Sequence, residues 1–270
     1  MILLESSDVL VINKPPGVSV HDAPGPGGSL LRTLRERGFD GLMPVHRLDK
    51  DASGVLVFAR NPETAAKWTA RWPSAVKTYR ALCENAPHDD VGEGGKIDAP
   101  ILENQTGKPD RLKRALAYFK KTHPNLPLPP VPEPKTSGVH IAGRESQTHY
   151  HVLAKFSIDK RLWSWLEVRP EQGRMHQIRV HLKHINCPLA VDPLYGNRAE
   201  LKESDVVRGG SARVLLSRMP LHAAKLYLPA TEHEPEFTIE APLPDDLNAV
   251  YAFLMGHDPR ATKLMDGAIH

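Results

Sequence analysis

The stretch His46-Arg47-Leu48-Asp49-Lys50-Asp51-Ala52-Ser53-Gly54 runs directly into the apolar segment Val55-Leu56-Val57-Phe58. A cation, an acid and a small-residue turn stand immediately ahead of an apolar, β-branched run. That is the pattern of a loop delivering one carboxylate from the end of a buried strand. A reactive side chain is best mounted this way, because the strand fixes a loop that stays open to ligand. Taken alone, Asp49 between Arg47 and Lys50 reads rather as a turn with a surface ion pair, an arrangement that is common and weak.

Upstream of this loop, Val9-Leu10-Val11-Ile12 is a short buried strand ended by the turn Asn13-Lys14-Pro15-Pro16-Gly17, and Val18-Ser19-Val20-His21 continues extended. Pro24-Gly25-Pro26-Gly27-Gly28 is a loop. Ser29 then caps a helix carrying Leu30, Leu31 and Leu34 and stopped at Gly38. Downstream, Asn61-Pro62-Glu63 opens a helix with an N-cap, a first-position proline and an acid in the first turn. Trp68 and Trp72 share one face of it and read as core. Val76 to Glu84 alternates as a strand, with Lys77 and Tyr79 on one side.

Regularity fades between residues 103 and 146, where a basic segment from Lys108 to Lys121 runs into the prolines between Pro124 and Pro134. This reads as an irregular, basic and Pro-rich insertion, a solvated excursion first and an RNA-contacting arm as the alternative. Thr148, Tyr150, Val152, Ala154 and Phe156 then alternate strictly, and Leu162 to Val168 is the expected hairpin partner. From Arg174 to Ile185, helical spacing puts Met175, Ile178, Leu182 and Ile185 on a packing face, with Arg179 and Lys183 one turn apart beside it. Strands at Leu221 to Leu228 and Glu236 to Glu240 and a helix carrying Leu247, Val250, Tyr251 and Leu254 follow. Strands outnumber helices and several adjoin directly, so the class is α+β with a mixed, mostly antiparallel sheet and flanking helices.

The 270 residues include 35 Lys+Arg against 32 Asp+Glu, so any basic face must be local. Cys83 and Cys187 have no metal or redox spacing and read as reduced core residues. There is no run of eighteen apolar residues and no signal-peptide pattern, so a cytoplasmic protein without a membrane association is expected. His176, His181 and His184 do not fall on one helical face, so no metal is expected. No glycine-rich phosphate loop follows a strand, so no nucleotide cofactor is expected.

Four ordered stretches are similar to the RluA-type RNA pseudouridine synthase family: Val11 to Gly17 with His21; His46 to Asp49 with Ser53-Gly54; Lys77-Thr78-Tyr79-Arg80-Ala81; and Gly173 to Leu182 running on to Asp192-Pro193-Leu194-Tyr195-Gly196. Leu221-His222-Ala223 is a weaker match. The resemblance implies a curved mixed sheet with a central active-site cleft, and a reaction without cofactors. A uridine flips out of structured RNA, ribosomal or transfer, is cut at its glycosidic bond and is rejoined through carbon.

Carried over residue by residue, the resemblance makes Asp49 the essential aspartate and Arg179 its charge partner, which an enclosed carboxylate needs to stay ionised. Tyr79 is the aromatic that stacks on the target base and Ile178 the apolar wall opposite. Arg47 fills the space the flipped base vacates. Lys77 serves phosphate or solvation equally. His46, His176 and Gln177 shape the loops around the site, and Arg174 belongs to the matching motif. Ala52, Gln172, Met175 and Val191 depart from the family pattern and bear on loop geometry.

One catalytic domain over residues 1–255, without the family's frequent N-terminal S4-like domain, and a frayed tail over 256–270 are expected, in a monomer. The competing reading is a catalytically silent RNA-binding protein on the same fold, which would require loss of Asp49, Tyr79 or Arg179. A metal-dependent RNA hydrolase would need a His and carboxylate cluster.

Overall fold

The computed structural model describes residues 2–21, 28–104, 109–128, 131–258 and 260–263. Residues 24–27 of the expected proline-glycine loop, and 264–270 of the expected tail, lie outside them. In chain order the elements are β1 (Ile2–Glu5), β2 (Val9–Lys14), α1 (Leu30–Glu36), β3 (Met43–Pro44), β4 (Ser53–Ala59), α2 (Pro62–Arg71), a 3-10 turn (Trp72–Ser74) and β5 (Val76–Glu84). Then come β6 (Gly94–Asp98), β7 (Ile101–Glu103), α3 (Pro109–Thr122), β8 (Ser137–Val139), β9 (Gln147–Ile158), β10 (Arg161–Pro170) and α4 (Gln177–His184). The chain closes with β11 (Leu201–Lys202), α5 (Glu203–Val206), β12 (Val214–Leu216), β13 (Leu221–Leu228), β14 (Phe237–Glu240), α6 (Asp245–His257) and β15 (Thr262–Lys263).

The chain divides into two compact units, one of Met1–Ala81 with Ala199–His257 and one of Leu82–Arg198 with Asp258–His270, so that β5 passes from the first into the second. In the first unit the strands follow the order β1, β2, β4, β13, β5, with β3 on β4 and β14 on β13. All of these pairings are antiparallel except β13 on β4, where His222 lies opposite Ser53 and Ala223 opposite Gly54. All seven residues of β4 are buried. One face packs Val55 and Val57 with Val9, Val11, Trp68, Leu226 and Leu228. The other carries Leu56 and Phe58, which are also fully covered. A strand covered on both faces reads as an unbroken apolar run, which is what 55–58 is.

α2 begins where its sequence dictates: the Asn61 side chain accepts from the Thr64 N–H at 2.8 Å and Pro62 takes the first turn. Trp68 of this helix is buried in the core and meets Phe237 edge-on.

In the second unit β9 and β10 form the long expected hairpin, and β6 and β15 also pair with β9. β7 and β8 form a separate pair. The expectation of irregular structure across 103–146 is corrected: the basic segment folds into α3, fourteen residues long. Its few apolar residues, Leu112, Leu116 and Phe119, recur at helical spacing, and Phe119 is 3% exposed. High charge density masked that period in the sequence. α4 starts at Gln177, three residues later than Arg174, because His176 adopts a left-handed backbone (φ 58°) that ends the preceding turn. Cys83 and Cys187 are free and buried.

Candidate active site

The first unit builds the loop that carries Asp49. Its backbone is held at several points. The Asp49 carbonyl accepts from the Ala52 N–H at 3.2 Å, closing a turn. Lys14 is fully buried and its ammonium donates to the carbonyls of Pro15, Val18 and Lys50, each at 2.8 Å. One cation therefore ties the end of β2 to the loop just past Asp49. Burial pushes the Lys14 ammonium down to about 8, against the opposing pull of Asp51 and Asp49.

At the other end of the loop, Ser53 Oγ lies 2.9 Å from His222 Nδ1, and His222 Nε2 lies 3.2 Å from the Ala241 carbonyl. The carbonyl can only accept, so His222 carries its proton on Nε2 and Ser53 donates to Nδ1. Arg218 then donates to the Ser53 oxygen at 3.1 Å while gripping both oxygens of Asp246 at 2.7 Å. Burial lowers His222 to about 4, so this chain stays neutral at the histidine. Gly54 follows with φ 112°, and a Cβ there would meet the Ala223 backbone nitrogen at 2.6 Å. Glycine is required because β4 and β13 approach so closely.

Tyr79, from β5, is half-buried. Desolvation first, and the negative charge of Asp49 second, hold its phenol above the ordinary tyrosine range. The hydroxyl therefore remains protonated and the ring neutral. His46 stacks on Trp72 with ring centroids 4.5 Å apart, and its Nε2 accepts from the Val57 N–H at 3.2 Å. Burial, reinforced by the Lys77 charge, drives His46 down to about 3. It is thus a neutral prop under the loop. Lys77 lies over the same Trp72 ring at 6.0 Å, and desolvation lowers its ammonium. Arg47 is exposed.

The second unit builds a separate constellation around α4. Arg179, 6% exposed, forms a two-pronged ion pair with Asp192: Nε and Nη2 each donate to one carboxylate oxygen at 2.7 Å. Such a fork fixes both the position and the plane of the guanidinium. It also lies over the Tyr195 ring at 4.8 Å. Asp192 Oδ1 accepts in addition from the Leu194 and Tyr195 N–H groups, at 2.9 and 3.1 Å. The Tyr195 hydroxyl accepts from the Ser137 N–H at 2.7 Å and lies 2.8 Å from His176 Nδ1.

Gln177 is buried, receiving the Arg174 N–H at 3.0 Å and donating to the Gln147 carbonyl and Thr148 hydroxyl. The Arg174 guanidinium donates to the Glu145 carbonyl at 3.0 Å. Ile178 is 6% exposed. Two departures from the family pattern are accommodated: Gln172 accepts from the Gln147 N–H at 2.7 Å, and the Met175 N–H donates to Glu103 at 2.9 Å.

Asp49, Tyr79, Arg47, His46 and Lys77 thus belong to one unit, and Arg174, His176, Gln177, Ile178 and Arg179 to the other. Within the first, Asp49 acts electrostatically on Tyr79. Within the second, Arg179 is organised by Asp192, a residue to which sequence reasoning gave no role. Lys14, Ser53 and His222 lay in the family-like stretches but were likewise given no role, and Arg218 and Asp246 were missed. Lys14 had a readable signal: it continues the inward register of Leu10 and Ile12, and a lysine at an inward strand position marks a buried cation. Among the described residues no group of three or more His, Cys, Asp or Glu side chains is arranged to hold a metal ion, and no helix is long and apolar enough to cross a membrane.

Comparison with known proteins agrees with the family resemblance. The family model described as RNA pseudouridylate synthase matches residues 8–184. The chain is 38% identical over 250 residues to an uncharacterized RNA pseudouridine synthase of Chloroflexus aurantiacus, covering 88% of this chain and 64% of that protein. It is 34% identical over 272 residues to the ribosomal large subunit pseudouridine synthase D of Xanthomonas campestris, covering 97% of this chain and 72% of that one. The chain therefore spans roughly two thirds of the length of these relatives. The structure of human RNA pseudouridylate synthase domain containing 1 superposes with a TM-score of 0.63 at 25% identity, covering 99% of this chain and 90% of that one.

Proposed function

The chain belongs to the RluA-type RNA pseudouridine synthase family, and from that premise we propose that it isomerises a uridine of structured RNA to pseudouridine, with Asp49 as the essential carboxylate. The reaction breaks the bond from the ribose to a ring nitrogen and makes one to a ring carbon. The proton lost by that carbon is balanced by one gained at the freed nitrogen, so no oxidant or reductant enters. The observation that carries the reading is the mounting of Asp49. Its loop is clamped by Lys14 on one side and by the Ser53–His222–Arg218 chain on the other, while the carboxylate acts on the ring that would face the base. Preorganisation of this kind keeps a reactive group in place without reorganisation at the moment of reaction.

The remaining roles are those the family resemblance implies, and the chemistry of each residue suits its role. Tyr79, held neutral, offers a face for stacking and a hydroxyl that donates. Ile178 supplies an aliphatic wall, which suits an uncharged base better than a further charge. By the family resemblance Arg179, which Asp192 orients, is the charge partner of Asp49, and such a partner keeps a carboxylate ionised when water is excluded. Arg47, exposed, enters the stack the uridine leaves. Lys77 serves phosphate or solvation equally, and Arg174, His176 and Gln177 hold the start of α4.

Because the named relative from Xanthomonas campestris modifies the large ribosomal subunit, large-subunit ribosomal RNA is the first substrate to test, ahead of transfer RNA. Unmodified transcripts of both are incubated with the protein and pseudouridine is scored at nucleotide resolution. Metal-independent product at a defined uridine is expected, absent with Asp49→Asn while RNA binding persists. Undiminished product with Asp49→Asn would remove Asp49 from its role, and absence of product with the wild-type protein on every transcript would favour the silent RNA-binding reading.

A further inference from the structure

We infer that α3 is an RNA-docking ridge that holds the substrate through its phosphates, apart from the residues that hold the target base. The inference rests on the family reading only in taking RNA as the partner. Residues 108–121 contain six Lys or Arg and a single Asp, against 35 Lys+Arg and 32 Asp+Glu in the whole chain, so outside this segment acids outnumber bases. A protein that must collect a polyanion needs positive potential somewhere, and this segment concentrates it.

The helix presents that charge outward. Phe119 is buried and stacks on His123 with ring centroids 4.6 Å apart, while Leu112, Ala115 and Leu116 share its inward side. Lys113, Arg114, Lys120 and Lys121 are all exposed. Lys113, Lys120 and Lys121 have no ion-pair partner among the described residues. From Leu112 to Leu128 the sequence contains no acid at all. A cationic surface serving stability alone would be interleaved with carboxylates at i, i+4, because like charges on neighbouring turns repel.

The geometry suits a strand of phosphates. Lys113 and Lys120 are two helical turns apart, about 11 Å at 1.5 Å per residue, a span of roughly three nucleotides at 3.4 Å rise per strand. Tyr118, one turn from Arg114 and from Lys121 on the helix surface, is 71% exposed, the highest value among the exposed large hydrophobic side chains of the described residues. An exposed aromatic amid lysines offers a stacking platform for an unpaired base. A partner protein of acidic character would use the charge but has less use for a lone exposed ring among cations.

The test compares three full-length variants with wild type: Lys113→Gln/Lys120→Gln/Lys121→Gln, the same three positions changed to Arg, and the control Arg35→Gln/Arg37→Gln/Lys160→Gln, which removes equal charge from exposed sites elsewhere. Affinity for unmodified large-subunit ribosomal RNA transcripts is read by fluorescence anisotropy between 50 and 200 mM salt. Circular dichroism confirms that each variant folds.

The α3 glutamine variant is expected to bind about tenfold or more weakly and to lose roughly two units of log–log salt slope. The arginine variant should bind as wild type, and the control should change little. For pseudouridine formation, KM rises while kcat at saturating RNA stays within about twofold. A loss in the α3 glutamine variant no larger than the control's overturns the inference. If RNA binding depends on α3 but no pseudouridine forms, the proposed function fails and the docking ridge stands. If pseudouridine forms and the glutamine variant behaves as wild type, the ridge fails alone.

Discussion

Replacing Asp192 by Asn changes one oxygen for one nitrogen, preserves shape and removes a single charge. In the folded chain that charge faces Arg179 through two 2.7 Å hydrogen bonds, with the two side chains 7% and 1% exposed. Asparagine can still accept the Leu194 and Tyr195 N–H groups through its carbonyl oxygen, so the turn after α4 keeps its backbone contacts. What is lost is the fork. Breaking a buried pair by neutralising one member leaves an uncompensated charge and costs about 3 to 5 kcal/mol. The lower end applies because the turn survives, so about 3 kcal/mol is expected, or a midpoint lowered by roughly 6 to 12 °C in a chain of this size. Thermal and urea denaturation followed by circular dichroism measure it. The loss should persist at high salt, since a pair this buried is screened little. A second variant isolates the pair: Asp192→Asn combined with Arg179→Met removes both charges and should recover part of the stability, because an apolar replacement leaves no buried ion. A loss below about 1 kcal/mol in the single variant, or a double variant worse than the sum of its singles, would refute the account of Arg179 as a guanidinium held in place by Asp192.

Two further changes test the loop that carries Asp49. Gly54→Ala places a methyl group against the Ala223 backbone at a φ of 112°; because backbone on both sides must move, a loss of about 3 kcal/mol or more is expected, and an alanine variant as stable as wild type in urea would show that β4 and β13 are not so tightly apposed. Lys14→Met removes the donor shared by three carbonyls, with an expected loss of about 2 kcal/mol at pH 7 and a fall in pseudouridine formation as the loop loosens. Lys14 also sets a pH signature: its folded value of about 8 lies below the ordinary 10.5, so between those limits the unfolded chain binds a proton that the folded chain has shed. Stability from this group is therefore complete above 10.5, rises with pH from 8 upward and is lost as pH falls through 8. Denaturation curves from pH 7 to 10.5 should show this rise in wild type and not in Lys14→Met; parallel pH profiles would refute it.

Much of the fold was legible because its local signals agree with its tertiary demands. The Asn61-Pro62-Glu63 start of α2, the alternation of β9 and the apolar run of β4 each reflect one cause acting on neighbouring residues. α3 was illegible because its apolar side has only a few members and the segment is dominated by charge and followed by prolines. The supports of the site failed for a different reason. Arg179 and Asp192 are 13 residues apart across the turn after α4, Ser53 and His222 are 169 apart, and Arg218 reaches Ser53 over 165. No period or propensity links such positions. Only the fold does, and the family motifs marked His222 and Asp192 as members of a pattern without saying what they touch.

Arg179 and Lys14 are held in opposite ways, and chemistry gives a reason. Arg179 is locked by a full ionic partner, which suits a cation whose service is to stand still and impose a field. Around Asp49, Lys14 acts through backbone instead, its donors going to three carbonyls, while Arg218 keeps an ionic partner in Asp246 and reaches the loop through the Ser53 hydroxyl. A direct buried salt bridge from Lys14 to Asp49 would stabilise the carboxylate as it stands and blunt whatever reaction it must undertake with the nucleotide. Fixing the loop by its peptide groups holds the acid in place while leaving its oxygens to interact with other groups. Lys14 still raises the local potential, since Asp49 is among the charges that act on it. The loop from His46 to Gly54 is therefore held through its backbone carbonyls and the Ser53 hydroxyl, an arrangement that suits the role proposed for Asp49.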